Sequence, residues 1–179
     1  MRLLFIGDSL IEFYDWERRF SGREVFNYGI AGETVEGLFS RLSGVLDKVA
    51  NPDFVFIMTG INNMAMGDRD FPGTYRKIIT LIKAKSPSPK IFVQSLLPVL
   101  FQFISNDEIR EMNMELRKMA EEEDIFYSDI HAIFLDSSGA PRKSYLLDDG
   151  VHLSEEGYRA WSAEIEKLLS IENPAKGHA

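Results

Sequence analysis

The chain has no cysteine among its 179 residues. This removes disulfides, thiolate metal centres and a cysteine nucleophile, and leaves the redox compartment open. Basic residues are in the minority: 20 Lys plus Arg stand against 28 Asp plus Glu, a formal charge of −8 with a pI near 4.9. Such a surface repels a phosphate backbone, so no nucleic-acid partner is expected. Long apolar runs are also missing. The most extended, 91–104, is interrupted by Gln94, Ser95, Pro98 and Gln102 and falls short of a bilayer span. The N-terminal Leu3-Leu4-Phe5-Ile6 stops at Gly7-Asp8, too short for the apolar core of a signal peptide. A cytoplasmic protein without stable membrane insertion is therefore expected. Neither G-x-x-x-x-G-K-[ST] nor G-x-G-x-x-G occurs, so a nucleotide-binding domain of flavodoxin type has no motif to support it.

What is present reads as one ordinary globular domain. Apolar residues make up 45% and charged residues 27%, and a chain of this length buries on the order of 70% of its unfolded surface. A single domain over 1–172 with a frayed tail over 173–179, which contains Pro174 and Gly177, is expected. Short apolar runs rich in β-branched and aromatic residues at 3–6, 25–28, 54–59, 91–94 and 125–128 suit strands buried on both faces. Helical patterns lie between and after them, at 10–19, 34–49, 75–85, 107–122 and 155–170. The alternation predicts a five-stranded parallel sheet in a three-layer α/β/α sandwich with right-handed crossovers, a flavodoxin-like layering.

Gly7-Asp8-Ser9-Leu10 directly follows the first strand, and a serine where a strand turns into a helix projects from the sheet edge at which active sites gather. A serine hydroxyl is a poor nucleophile unless an imidazole takes its proton and a carboxylate orients the imidazole. Of the three histidines, His178 lies in the tail and His131 follows the fifth strand, whereas His152 stands three residues after Asp149 in a glycine-containing loop. That spacing lets Asp149 reach one ring nitrogen while the other faces Ser9. Acyl transfer also needs donors for an oxyanion. Gly32, in Asn27-Tyr28-Gly29-Ile30-Ala31-Gly32, and Asn62, in Gly60-Ile61-Asn62-Asn63, follow the second and third strands. Plainer roles also fit these residues: Asp8 or Ser9 as a helix N-cap, His152 as a surface residue ahead of the N-cap Ser154, Gly32 and Asn62 as turn formers.

Together the four segments resemble the GDSL, or SGNH, hydrolase family, from Gly7-Asp8-Ser9-Leu10 through Asn27–Gly32 and Gly60–Asn63 to Asp149-x-x-His152. The resemblance implies an SGNH sandwich in which Ser9 attacks the acyl carbon, His152 is the base and Asp149 orients it. The oxyanion would be held by the Ser9 and Gly32 amides and the Asn62 side chain, with no cofactor and no metal. One position departs from the family pattern: Asn63 stands where the third block has Asp, and an amide cannot supply a fixed negative charge to brace the loop. The G-x-S-x-G elbow of ordinary α/β-hydrolases is absent around Ser9.

The connection Leu96-Leu97-Pro98-Val99-Leu100-Phe101-Gln102-Phe103-Ile104 is unusually apolar for a surface loop. Leu97, Val99, Phe101 and Phe103, with Met64 and Met66 after Asn62, are candidates for an acyl pocket; a core-packing segment or the patch of a homo-oligomer are the alternatives. Phe13, Tyr14 and Trp16 are further candidates for the site wall, or for the core. The expected activity is hydrolysis of small or medium acyl esters through an acyl-serine, rising with pH as His152 loses its proton. A carbohydrate O-acetylesterase and a non-catalytic ligand-binding module on the same fold are the rivals.

Overall fold

Residues that alternate between the two sides of a strand are apolar on both sides here, and the chain accordingly builds a sheet covered by helices on each face. The structure, a computed structural model, describes residues 1–172; the expected tail over 173–179, with His178, lies outside the described residues. The strands are β1 (Arg2–Gly7), β2 (Glu24–Gly29), β3 (Phe54–Met58), β4 (Lys90–Gln94) and β5 (Phe126–Ser128). The helices are α1 (Ser9–Glu12), α2 (Trp16–Arg19), α3 (Val35–Lys48), α4 (Ile61–Ala65), α5 (Pro72–Lys85), α6 (Asn106–Glu122), α7 (Ile130–Ile133) and α8 (Glu155–Glu172). All strand pairs are parallel, in the order β2-β1-β3-β4-β5. From β1 the chain steps outward to β2 and then back past β1 to β3, so the connections diverge at the carboxyl end of β1, where a crevice forms in such sheets.

The two faces of the sheet are chemically different. Leu4, Ile6, Val55, Ile57, Ile91 and Val93 point to one side, where α3, α5 and α6 cover them with aliphatic residues such as Leu38, Ile78 and Leu116. Leu3, Phe5, Phe54, Phe56 and Phe92 point to the other, under α1, α2, α7 and α8. On that side Phe5, Phe56, Phe92 and Phe126 occupy one rung of the sheet. Their rings stack in sequence at 5.0, 5.2 and 4.7 Å between centroids. Trp16 stacks on Phe5 at 4.4 Å and meets Trp161 edge-on at 5.0 Å.

The three-layer sandwich and its five parallel strands agree with the expectation from sequence, and the strand and long-helix boundaries agree closely. The segment 10–19 departs from it, forming two four-residue helices instead of one. The cause is local. The Trp16 indole donates to the Ile11 carbonyl at 2.8 Å, and the Asn27 amide donates to the carbonyls of Ile11, Glu12 and Tyr14. Acceptors that would continue α1 are thus engaged by side chains, and Asp15 restarts the helix by accepting the Arg18 N–H. The short α4 and α7 are additions to the expected set; a single turn of helix is too brief to show a periodic pattern.

The aromatic rung generates a stability prediction. Phe56 is fully buried between two stacked rings, so Phe56→Ala is expected to destabilise the fold by about 3–5 kcal/mol. Chemical denaturation checks this; a loss below about 1 kcal/mol would mean the rung contributes no more than an exposed contact.

Candidate active site

The turn that carries Ser9 is set by backbone packing. A Cβ on Gly7 would lie 1.9 Å from the Met58 carbonyl oxygen, so β1 and β3 approach closely enough that only glycine fits. The next residue, Asp8, is fully buried and caps α1, its Oδ1 accepting the Leu10 N–H at 3.0 Å. Ser9 is therefore the first helical residue, and its own N–H is among the donors that a helix start leaves unbonded. Of the two cap candidates in the sequence, Asp8 is thus the cap.

Ser9 Oγ lies 3.0 Å from His152 Nε2, and His152 Nδ1 lies 2.7 Å from Asp149 Oδ2. A carboxylate on Nδ1 keeps the ring proton there and leaves Nε2 to accept from the serine hydroxyl. Asp149 is held in turn by its own loop: Oδ1 accepts the N–H groups of Val151 and His152, both at 2.9 Å. That loop is pinned at several points, with Leu147 N–H donating to the His152 carbonyl at 2.7 Å and Leu100 N–H to that of Gly150 at 2.8 Å. Ser154 closes it by capping α8 through the Gly157 N–H. Burial opposes ionisation of Asp149, but the bonds from Val151 N–H, the His152 ring and His152 N–H outweigh it and hold the carboxyl below its ordinary range.

Asp8 is the opposite case. Burial pushes its carboxyl up to about 7, against the Leu10 N–H bond and the neighbouring His152. Its Oδ2 has no hydrogen-bond partner among the described residues, and neither does the buried Thr59 Oγ1.

The candidate oxyanion donors come from the loops after β2 and β3. Gly32 sits at φ +76°, a conformation that favours glycine, and its N–H has no partner among the described residues. Asn62 Nδ2 donates to the Glu33 carbonyl at 2.9 Å, which orients the amide and leaves its second N–H at the cavity that Asn62 lines. The loop that bears Gly32 is braced. Arg41 forks onto the Glu33 carboxylate at 2.6 and 2.5 Å and reaches the Tyr28 carbonyl at 2.8 Å, while Glu12 accepts the Ala31 N–H at 2.6 Å. Sequence reasoning misses both the Arg41–Glu33 pair and Glu12, since charges eight and nineteen residues from their partners carry no local signal.

A cavity of about 260 Å³ opens beside the relay. Asn62, Asp149 and His152 form its polar side, and Ile61, Ala65, Phe101, Ile104 and Val151 its apolar wall. Of the six pocket residues expected from sequence, only Phe101 lines it. Met64, Leu97 and Val99 are buried in the two cores instead. On α4, Ile61, Asn62 and Ala65 line the cavity, whereas Met64 is buried in the aliphatic core. Met66 and Phe103 are 71% and 70% exposed; Phe103 reaches the site only by packing edge-on against Phe101 at 5.1 Å. Trp16 is core, Tyr14 stacks on Tyr158, and only Phe13 approaches His152, ring to ring at 5.3 Å. Ile61, Ala65, Ile104 and Val151 are wall residues that sequence reasoning misses. Among the described residues no cluster of acidic or histidine side chains could hold a metal ion, and no helix is long and apolar enough to cross a membrane.

A parallel α/β/α sandwich with a serine, an imidazole and a carboxylate hydrogen-bonded in series at the carboxyl edge of its sheet has the architecture of the SGNH-type hydrolases. The chain belongs to the GDSL-like lipase/acylhydrolase family, whose model matches residues 5–160. Subunit alpha2 of platelet-activating factor acetylhydrolase IB from Rattus norvegicus is 26% identical over 177 residues, covering 93% of this chain and 75% of its own. A Streptococcus pneumonia structure provisionally described as a platelet activating factor superposes with a TM-score of 0.84 at 26% identity, over 93% of this chain and 83% of that one. An acetylxylan esterase from Geobacillus stearothermophilus shares the fold, with a TM-score of 0.73 at 21% identity over 93% and 92% of the two chains.

The buried Asp8 carboxyl generates a prediction with a defined sign. Its folded-state value of about 7 lies above the ordinary 3.8, so between those limits the folded state binds more protons than the unfolded state, and this contribution to stability falls as pH rises from about 4 to about 7. Asp8→Asn keeps the acceptor for Leu10 N–H and removes the ionisation. The melting temperature of the variant relative to the native chain is expected to climb across that window; a constant difference from about pH 4 to 8 would refute it.

Proposed function

We propose that the protein is a serine esterase that hydrolyses small or medium acyl esters through an acyl-serine intermediate. The observation that carries this is the relay from Asp149 through His152 to Ser9, at 2.7 and 3.0 Å, beside an apolar cavity. In the first step the Ser9 Oγ–H proton passes to His152 Nε2 as Oγ bonds to the acyl carbon. The carbonyl π electrons move onto oxygen, and the Ser9 and Gly32 N–H groups and the Asn62 amide receive that charge. Collapse of the tetrahedral species breaks the bond to the alkoxide, which takes the proton from His152. Water, deprotonated by the same ring, then attacks the acyl-serine, and Ser9 Oγ leaves with the proton as the acid is released. Asp149, ionised at neutral pH, stabilises the imidazolium in both halves.

The cavity wall supports an acyl group as its occupant. Its polar members, Asn62, Asp149 and His152, all have roles in the relay or the oxyanion site, which leaves none for the hydroxyls of a sugar. This favours an acyl ester over the carbohydrate O-acetylester of the second reading, although the names of the acetylhydrolase and acetylxylan esterase relatives both point to a short acyl group. The assembled relay argues against a binding-only module.

Hydrolysis of p-nitrophenyl esters from acetyl to long acyl chains tests the proposal. Turnover is expected to peak at short or medium chains, and Ser9→Ala is expected to lower it by at least about 10³-fold; ester turnover that survives Ser9→Ala would exclude the acyl-serine route. Asn62→Ala is expected to cost on the order of 10²–10³ in kcat, far more than Asn63→Ala. Equal losses would remove Asn62 from the oxyanion site.

A further inference from the structure

Asn63, next to Asn62 on α4, is 1% exposed and uses both ends of its amide. Its Oδ1 accepts the N–H of Val35, the first residue of α3, at 3.0 Å. Its Nδ2 donates to two carboxylates, Glu36 Oε2 at 2.8 Å and Asp68 Oδ2 at 2.7 Å. The reverse orientation of the amide would set oxygen against two carboxylates and a donor against an N–H, so the partners define which atom is which. The bond from Asn63 is the leading reason that the Asp68 carboxyl lies below its ordinary range. Asp68 is itself fixed in the turn after α4, accepting the Asp70 N–H at 2.9 Å and donating its own N–H to the Asn63 carbonyl.

These bonds fall on the same two segments as the oxyanion donors. Asn62 ties α4 to the Glu33 carbonyl, one residue after Gly32, and Asn63 ties α4 to the Val35 N–H, two residues further on. Two adjacent amides thus lace the Gly32–Val35 stretch to the start of α4. A carboxylate at residue 63 would keep the bond from Val35 N–H but turn its second oxygen toward Glu36 and Asp68 at hydrogen-bond distance. Residue 63 is buried, so a carboxylate there would face the half-buried Asp68 and the exposed Glu36 from a desolvated position and be repelled by both. A neighbouring cation, Arg69, directs its two terminal nitrogens to the Met64 and Asp68 carbonyls and to Glu108, away from residue 63.

We propose that Asn63 is a positioning residue that sets the spacing of the Gly32 and Asn62 donors, and that Glu36 and Asp68 require a neutral, donating amide there. The role presupposes the acyl-serine chemistry proposed above. Asn63 in this chain is therefore no weakened version of an acidic brace: the negative charge stands on Glu36 and Asp68, and the donor stands between them.

A charge-relief cycle on the full chain tests this with the p-nitrophenyl ester of the preferred acyl length. Asn63→Asp is expected to lower kcat at least tenfold with KM changed less than threefold, because the donors shift while the cavity wall is intact. Glu36→Gln with Asp68→Asn is expected to stay within threefold of the native chain. Adding those two substitutions to Asn63→Asp supplies two amide donors to the new carboxylate, and kcat is expected to return to within threefold. An Asn63→Asp variant with native kcat, or one whose loss persists in the triple variant, overturns the proposal. Should Asn63→Asp fail to fold, Asn63→Ala replaces it: a fall in kcat at constant KM, smaller than that of Asn62→Ala, supports the role, and native kcat or a loss equal to that of Asn62→Ala overturns it. Full activity in Ser9→Ala would instead sink the acyl-serine reading, and the positioning role with it. A Ser9-dependent enzyme indifferent to Asn63 sinks the positioning role alone.

Discussion

The backbone contact between β1 and β3 at Gly7 and Met58 is the constraint on which the site depends. With no room for a Cβ at residue 7, the two strands end side by side, and the segments leaving them emerge at the same point of the sheet edge. Asp8 and Ser9 leave β1 there, and Gly60 and the helix bearing Asn62 and Asn63 come off the end of β3. Ser9 and Asn62 are thus brought together by strand pairing, one of the most rigid features of an α/β fold. The remaining parts arrive from loops and need more bracing: Arg41, Glu33 and Glu12 around Gly32, and the hydrogen-bonded turn of residues 147–152 around Asp149 and His152.

Two aspartates within this small region illustrate how environment divides one side-chain chemistry into two. Asp149 collects hydrogen bonds from backbone and imidazole and stays charged, as a partner for a transient imidazolium must. Asp8, one residue from Ser9, has one strong bond and no solvent, and retains a proton far above its ordinary range. The buried carboxyl lowers the stability of the fold at neutral pH, and the cap it gives α1 accounts for only part of its presence.

Most of the architecture was legible in the sequence because strands buried on both faces are short apolar blocks and the helices between them have ordinary lengths. The relay was legible for a different reason: histidine is scarce in this chain, and Ser9 and the Asp149–His152 pair sit in compact local motifs. The pocket wall was not. Whether Met64 or Ala65 faces a cavity is decided by how α4 is oriented on the rest of the fold, and apolar character alone does not distinguish a wall from a core. The break between α1 and α2 was equally hidden, since it depends on carbonyls engaged by Asn27 from the next strand. Asn63 was visible as a departure from a motif, but its meaning lay in Glu36 and Asp68, whose approach only the folded chain reveals.

The unequal faces of the sheet divide the site as well. Ser9 and the flanks of the His152 loop rest on the aromatic layer through Leu10, Ile11, Leu146 and Leu153, whereas Gly32 and Asn62 adjoin the aliphatic layer through Val35 and Ile61, as does Val151 beside His152. Both tryptophans of the chain, Trp16 and Trp161, belong to the aromatic layer. Tryptophan fluorescence is therefore a one-sided signal in this molecule: it registers loosening of the aromatic layer beneath Ser9, while the layer beside Gly32 and Asn62 holds no tryptophan to report on it.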